Sequence, residues 1–196
     1  QSVKLDFSSS KIEKQASIAL ADPSFLGRNL LAGISFGQST ITPTSTPLSS
    51  EKLYFEPKIG FPLTRDSNLS LSYRFEADET KLTSTSGTVS PLITADVGNK
   101  NRSAVTLLYK IDKTNSVVKP TSGHDFKITQ ELNGLGGNIS YSKSKLGLKT
   151  YKTMFRDDII LTSELSAGVI IGSDASISNR FFLGGDNLKG FRSRGI

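Results

Sequence analysis

Apolar and polar residues alternate along this chain with a period of two, most regularly between residues 159 and 171. The positions of one set are apolar or small: Ile159, Leu161, Ser163, Leu165, Ala167, Val169 and Ile171. The interleaved positions include Thr162, Glu164, Ser166 and Gly168. Because residues two apart share a face of a strand, this pattern predicts a β-strand with one apolar and one polar face. At about 3.3 Å per residue it would span about 40 Å, roughly twice a typical globular strand.

The same alternation recurs along the rest of the chain. The predicted strands lie near residues 2–8, 12–21, 29–38, 52–61, 68–77, 103–113, 123–132, 138–152 and 158–171. No stretch of comparable length has apolar residues at the i, i+3, i+4, i+7 spacing of an amphipathic helix. We therefore predict an all-β, antiparallel, up-and-down fold of about nine strands.

The predicted connections differ in length between the two ends of the sheet. Those after even-numbered strands are compact, whereas residues 39–50, residues 78–102 and the tail after residue 171 follow odd-numbered strands. Two connections of the odd set, residues 8–11 and 133–137, are short. Transmembrane β-barrels have short turns at one membrane face and longer loops at the other. Strand length and loop placement favour such a barrel over a soluble sandwich or lipocalin-like barrel, although the chain lacks tryptophan, which is common in aromatic girdles.

Composition narrows the class of protein further. The chain has 29 Ser, 17 Thr and no Cys, which excludes disulfides, thiolate metal sites and a cysteine nucleophile. No apolar run approaches the roughly 18 residues of a membrane-spanning helix, so a helical membrane protein is excluded. The formal net charge of +6 is mildly basic. Gln1 does not begin a signal-peptide pattern, so we expect the sequence to start at an internal position of a longer protein.

Candidate sites for catalysis or metal binding are weak in this sequence. His124 is the only histidine, and its neighbours Ser122 and Asp125 do not provide a catalytic or metal-binding cluster with it. The pair Asp157 and Asp158 is more typical of a solvated turn than of a cation site. We expect no enzymatic activity, no cofactor and no metal.

Two further patterns have simple explanations. The glycine-rich stretches 134–137 and 184–185 do not precede a helix, so a phosphate-binding loop is unsupported. Four lysines make the eighth predicted strand basic: Lys143, Lys145, Lys149 and Lys152. Alternating lysines that face a wet lumen or lipid headgroups explain this pattern, and we expect no nucleic acid partner.

The C-terminal tail, residues 180–196, carries the most specific motif. It reads Arg180-Phe181-Phe182-Leu183-Gly184-Gly185, then Asp186-Asn187, then Leu188-Lys189-Gly190-Phe191. It resembles the sixth extracellular loop of the BamA-like outer-membrane insertases, the bacterial surface antigen superfamily. Members have an aromatic residue, a small pair and then a hydrophobic-Arg-Gly-aromatic tetrapeptide. Here Lys189 replaces the arginine, and a point charge cannot reproduce a bidentate guanidinium contact.

Two weaker matches agree with this resemblance. Asp22, Pro23 and Phe25 resemble the family's acidic-Pro-aromatic-Phe turn, with Ser24 where an aromatic residue is usual. Residues 119–123 resemble the Pro-Thr-x-Gly turn that begins a later strand. The resemblance implies that the nine strands correspond to strands three to eleven of a barrel of about sixteen, and that residues 172–196 begin the lumenal loop. The remaining strands and the periplasmic POTRA (polypeptide-transport-associated) domains would then lie outside this sequence, which we expect to be a partial barrel with two unpaired edges.

The resemblance also implies a function. Such a protein would fold and insert β-barrel proteins into the cell outer membrane, with its loop folded into the lumen. The residues implied for the loop are Gly184, Gly185, Leu188, Lys189, Gly190 and Phe191. The implied partners are unfolded outer-membrane β-barrel clients, outer-membrane lipids, accessory lipoproteins and periplasmic chaperones. A protein-translocating pore or TamA-like factor of the same superfamily, and a passive diffusion porin, stay as alternatives.

Overall fold

The computed structural model describes residues 1–42, 47–83, 91–94, 97–137, 139–155, 159–172, 175 and 179–181. The strands are β1 (Ser2–Ser9), β2 (Glu13–Asp22), β3 (Leu31–Ile41), β4 (Leu48–Pro62), β5 (Ser67–Leu82), β6 (Gly98–Asp112), β7 (Gly123–Gly137), β8 (Tyr141–Met154) and β9 (Ile159–Ile171). They form one nine-stranded antiparallel sheet in chain order, which confirms the predicted up-and-down topology. A short 3-10 turn (Phe25–Gly27) and the four-residue helix α1 (Pro91–Thr94) lie in connections. Within the described ranges, no helix is long and apolar enough to cross a bilayer.

The register places the predicted apolar residues on one face of the sheet. Leu5 pairs with Ile18, Phe36 with Phe55, and Leu71 with Leu107. Among the described residues, no second layer covers this outer face, where Leu165 is 60% exposed and Phe7 is 81% exposed. A continuous apolar face without a covering layer is what a lipid-facing barrel wall requires.

The opposite, inner face carries the polar residues and is crowded. Glu76, Asp78 and Arg102 are each less than 10% exposed, although the described strands form a single sheet. Side chains on the concave side of a curved sheet converge and cover one another, whereas those on the convex side diverge. The inner face is therefore the concave, lumenal side of the wall.

The strands are longer at one end of the sheet than the sequence predicts. β5 continues to Leu82 and β6 begins at Gly98, so the two ends of the predicted connection 78–102 belong to these strands. Likewise β3 reaches Ile41 and β4 starts at Leu48, which shortens the predicted connection 39–50. These boundaries were wrong because the extensions are polar and lose the apolar alternation, while backbone pairing such as Asp78 with Lys100 continues.

The predicted connection at residues 133–137 is also part of a strand. β7 continues to Gly137, and the register against β6 shifts between Arg102 and Ala104. A shift of this kind is a β-bulge, which glycine allows because it accepts left-handed backbone angles. Gly137 has φ of 98°, and a Cβ there would clash with the Asn101 carbonyl oxygen. The glycine-rich segment 133–137 is therefore an irregular part of β7 and not the predicted connection.

Candidate functional site

Asp22, Pro23 and Phe25 form the turn between β2 and β3. Asp22 ends β2, and its Oδ1 accepts a hydrogen bond from the Ser24 N–H at 3.0 Å. The Phe25 N–H donates to the Leu30 carbonyl at 2.9 Å and closes the turn. The Phe25 ring also lines an apolar groove on the outer face. These three residues shape the chain reversal, and the groove beside them is apolar.

The second turn motif is organised by a residue that the sequence reading did not single out. The Asn115 side chain accepts hydrogen bonds from the N–H groups of Thr121 and Ser122 at 3.0 and 3.1 Å, and donates to the Thr121 hydroxyl at 2.7 Å. Gly123, with φ of 103°, then starts β7. This amide closes the connection between β6 and β7.

Several candidate residues lie outside the part of the chain that the structure describes. They are the loop residues Gly184, Gly185, Leu188, Lys189, Gly190 and Phe191, and the pair Asp157 and Asp158. His124 is described, and it is exposed near the start of β7. Among the described residues, no group of three or more His, Cys, Asp or Glu side chains is placed to hold a metal ion.

Arg102 is the centre of a charged network on the inner face. Its Nη2 lies 3.0 Å from Glu76 on β5, and its Nη1 lies 3.0 Å from Glu131 on β7. Nη1 also donates to Asn133 and to the Tyr141 hydroxyl, each at 3.3 Å. The network therefore ties together four consecutive strands, β5 to β8, through one guanidinium, whose planar donors suit several acceptors at once.

The network continues across the wall towards β4 and β3. Lys52 lies 3.3 Å from Glu76 and 3.4 Å from Asp78, while Arg74 pairs with Glu56. The Arg74 guanidinium also lies over the Tyr54 ring, 4.4 Å from its centroid.

That ring in turn covers a glycine on the next strand. A Cβ built at Gly37 would lie 2.7–2.8 Å from Tyr54 ring atoms. The inner face is thus bonded or packed from β3 to β8, which rigidifies the wall against changes in curvature.

The chain after β9 returns to this face. Ala175 is buried against Ile139, Tyr141 and Ile170. The Lys143 ammonium donates to the Asn179 carbonyl and lies 4.6 Å from the centroid of the Phe181 ring.

The same ring lies against the backbone of β9. A Cβ built at Gly168 would be less than 3.0 Å from three of its atoms. The described residues 175 and 179–181 therefore lie on the lumenal side of β8 and β9.

A model of the Omp85 superfamily domain matches residues 1–196, the whole of this sequence. The chain is a member of the Omp85 superfamily. This confirms the resemblance to BamA-like proteins. Relatives of the chain include an outer membrane protein assembly factor and components of a sorting and assembly machinery.

Individual relatives of this Omp85 chain come from animals and bacteria. The mouse (Mus musculus) Sorting and assembly machinery component 50 homolog is 30% identical over 166 residues, which are 82% of this chain and 33% of that protein. Outer membrane protein assembly factor BamA of Neorickettsia risticii is 25% identical over 141 residues, 70% of this chain and 19% of that protein. The chain thus spans a third or less of the length of these relatives.

A solved structure has the same fold. The crystal structure of BamA from Haemophilus ducreyi lacking POTRA domains 1–3 matches with a TM-score of 0.84. The match covers 98% of this chain and 40% of that one, at 12% sequence identity. At this identity the likeness concerns the fold, and it agrees with the prediction of a partial barrel wall.

The inner network of this Omp85 chain was missed by sequence reasoning. Its members lie on the polar positions of β5 to β8, where charged residues alternate with apolar ones, and that pattern alone shows only which face they share. Which acid meets which base depends on strand register. A search for opposite charges at facing polar positions, such as Glu76 and Arg102, would have found the pair once the register was known.

Three of the four lysines of β8 lie on the inner face of this Omp85 wall. Lys143, Lys145 and Lys149 share the parity of Tyr141, whereas Lys152 points to the other face. Lys149 lies 3.5 Å from Glu164 on β9, and Lys143 contacts the returning chain. Most of this basic pattern therefore faces the lumen.

Proposed function

We propose that the complete protein folds β-barrel proteins and inserts them into an outer membrane. The observation that carries this proposal is the Omp85 match over residues 1–196, together with a wall whose bare apolar face suits lipid. The names of the relatives agree, since one is an outer membrane protein assembly factor and others are components of a sorting and assembly machinery.

The proposed mechanism uses main-chain pairing and no covalent chemistry, cofactor or metal. A client strand adds to an open edge of the complete barrel, as in β-augmentation, where backbone hydrogen bonds supply the affinity. Transfer of the paired client strand into the bilayer is favourable, because pairing leaves no backbone N–H or C=O group without a hydrogen-bond partner in lipid. By resemblance, the edge that opens lies between the first and last strands of the complete barrel, outside this sequence. The protein is thus a folding catalyst and not an enzyme in the chemical sense.

The lumenal loop has a supporting role in this proposal. Gly184 and Gly185 allow a close backbone approach, and Leu188, Lys189, Gly190 and Phe191 hold the barrel in a competent shape from inside the lumen. Inner-face carboxylates such as Glu76 and Glu131 give this wall an ordered charge pattern. At position 189 a lysine stands in place of the family arginine. Its ammonium is a point charge, so its proposed contact with the barrel wall is less directional than that of a guanidinium.

The partners follow from the proposed reaction. Clients are unfolded outer-membrane β-barrel proteins, and the outer face contacts outer-membrane lipids. Accessory lipoproteins and periplasmic chaperones would deliver the clients. We place the protein in the outer membrane of a bacterial cell, while the animal relatives make the outer membrane of an organelle the competing location. Fractionation of cells that express the tagged complete protein distinguishes the two.

The test is client insertion into liposomes that contain the complete protein. We expect Lys189→Ala and Gly190→Pro to lower the insertion rate, while heat-modifiable gel mobility shows that both variants are folded. Lys189→Arg, which restores the family residue, should retain activity. If neither Lys189→Ala nor Gly190→Pro changes the rate, the role of the loop is contradicted, and a complete protein that gives no acceleration at all contradicts the assembly function.

A further inference from the structure

Three residues hold the start of the segment after β9 against the inner wall. One of them, Phe181, belongs to the tail motif, and the other two lie on β8 and β9 outside any family motif in this chain. Phe181 lies with its ring against Gly168 of β9, and the Lys143 ammonium of β8 lies over the same ring. Lys143 is 8% exposed and also donates to the Asn179 carbonyl, two residues before Phe181. We call Lys143, Gly168 and Phe181 the clasp.

The contacts of the clasp require a cation, an aromatic ring and a residue without a side chain. A cation over an aromatic face is attracted by the ring quadrupole, and the attraction grows as the ammonium is desolvated. The ring can approach β9 this closely only because residue 168 has no side chain. By contrast, Gly147 on β8 has nothing within 4 Å of a Cβ placed on it, so the absence of a side chain serves no contact there.

The clasp is continuous with the charged network. Ala175, on the same returning segment, is buried against Tyr141, and the Tyr141 hydroxyl lies between Arg102 and Glu131 at 3.3 and 3.2 Å. The returning segment therefore contacts the wall at two places, one apolar and one cation–π. Both lie on the inner face of β8 and β9.

We propose that Lys143, Gly168 and Phe181 are positioning residues that fix the point and direction at which the chain leaves the inner wall. Opening the clasp removes the cation–π contact of the returning segment and leaves the apolar contact at Ala175. The sheet stays folded, because the strand ladder does not depend on the clasp. The expected effect of the clasp on protein assembly rests on the proposed function. The contact itself, and its expected effect on the ionic conductance of the lumen, are independent of that function.

Amine labelling of the complete protein in liposomes tests the contact directly. In the wild type, a water-soluble acylating reagent should modify Lys143 at least about fivefold more slowly than Lys145, which is exposed on the same face. Phe181→Ala and Gly168→Ala should remove this protection, whereas Gly147→Ala should leave it intact. Equal labelling of Lys143 and Lys145 in the wild type would overturn the clasp.

Conductance and insertion then test the positioning role. Phe181→Ala, Gly168→Ala and Lys143→Met should change single-channel conductance and slow client insertion, while Gly147→Ala and Lys143→Arg, which keeps the cation, should match the wild type. If protection is lost but conductance and insertion are unchanged, the clasp is a packing contact and the positioning role is wrong. If the wild type itself does not accelerate insertion, the proposed function fails, and labelling and conductance still decide the clasp.

Discussion

Arg102 and Glu76 face each other across neighbouring strands, with Nη2 3.0 Å from the carboxylate oxygen Oε2. The two residues are also register partners, so the pair follows the backbone ladder of β5 and β6. Both side chains are at least 90% buried, and Glu131 supplies a second carboxylate to the same guanidinium. Because charges buried this deeply need compensation, both carboxylates depend on the Arg102 guanidinium.

Arg102→Met should destabilise the complete protein by about 3 kcal/mol, since it removes the buried cation that Glu76 and Glu131 share, and the Lys52 ammonium beside Glu76 replaces it only in part. Urea unfolding in detergent micelles, followed by gel mobility, measures the change. Lys4→Met is the matched control, because the Lys4–Asp6 pair is exposed and should contribute less than about 1 kcal/mol. Adding Glu76→Gln to Arg102→Met should recover part of the loss. Equal unfolding midpoints for Arg102→Met and Lys4→Met would contradict a structural role for the network.

Gly37→Ala should cost about 1–3 kcal/mol, because the new methyl group would overlap the Tyr54 ring and push it from the inner face. The measurement is again the unfolding midpoint. The contact predicts strong coupling, so the loss from Gly37→Ala should nearly vanish in a Tyr54→Ala background. Additive effects of the two substitutions would show that the ring does not lie over this glycine.

Leu165→Lys should impair insertion of the complete protein into lipid vesicles by about 2–4 kcal/mol, because the middle of β9 faces lipid on this side. Ser166→Lys, one residue further on the same strand, faces the lumen and should have little effect. Folding yield into vesicles over a range of urea concentrations compares the two. A larger loss for Ser166→Lys than for Leu165→Lys would mean that the two faces are assigned the wrong way round.

Asp22→Ala should cost about 1 kcal/mol, because the Ser24 N–H loses its carboxylate acceptor in the turn between β2 and β3. Asp22→Asn keeps an oxygen at the same position and should retain most of the stability. Refolding rates into micelles report whether the turn also helps the hairpin to form. If Asn and Ala behave alike at this position, the hydrogen bond has no measurable role.

Much of the fold follows from the sequence. The alternation in residues 159–171 predicts β9 almost to the residue, and the same pattern predicts the other eight strands in order. The limits of β5 and β6 could not be predicted in this way. The C-terminal end of β5 and the N-terminal end of β6 are polar on both faces. They are strands because their backbones pair with each other.

The sequence likewise indicates some residues of the candidate site and not others. Asp22, Pro23 and Phe25 were recognised as a turn because turn chemistry depends on adjacent residues. The tail motif was recognised by its spacing, and the clasp was not, although Phe181 belongs to that tail. Lys143 and Gly168 are far from Phe181 in the sequence, and neither is unusual until the chain returns to the wall.

By itself, the sequence determined that this protein is a wall of long strands with an apolar face and a polar face, since alternation is a property of each strand's own backbone. Only the tertiary structure decided which polar groups meet. The facing of Glu76 and Arg102 depends on register, the approach of Arg102 to Glu131 on a bulge in β7, and the contact of Phe181 with Gly168 on the return of the chain. All three join residues on different elements, and local periodicity carries no information about such distances.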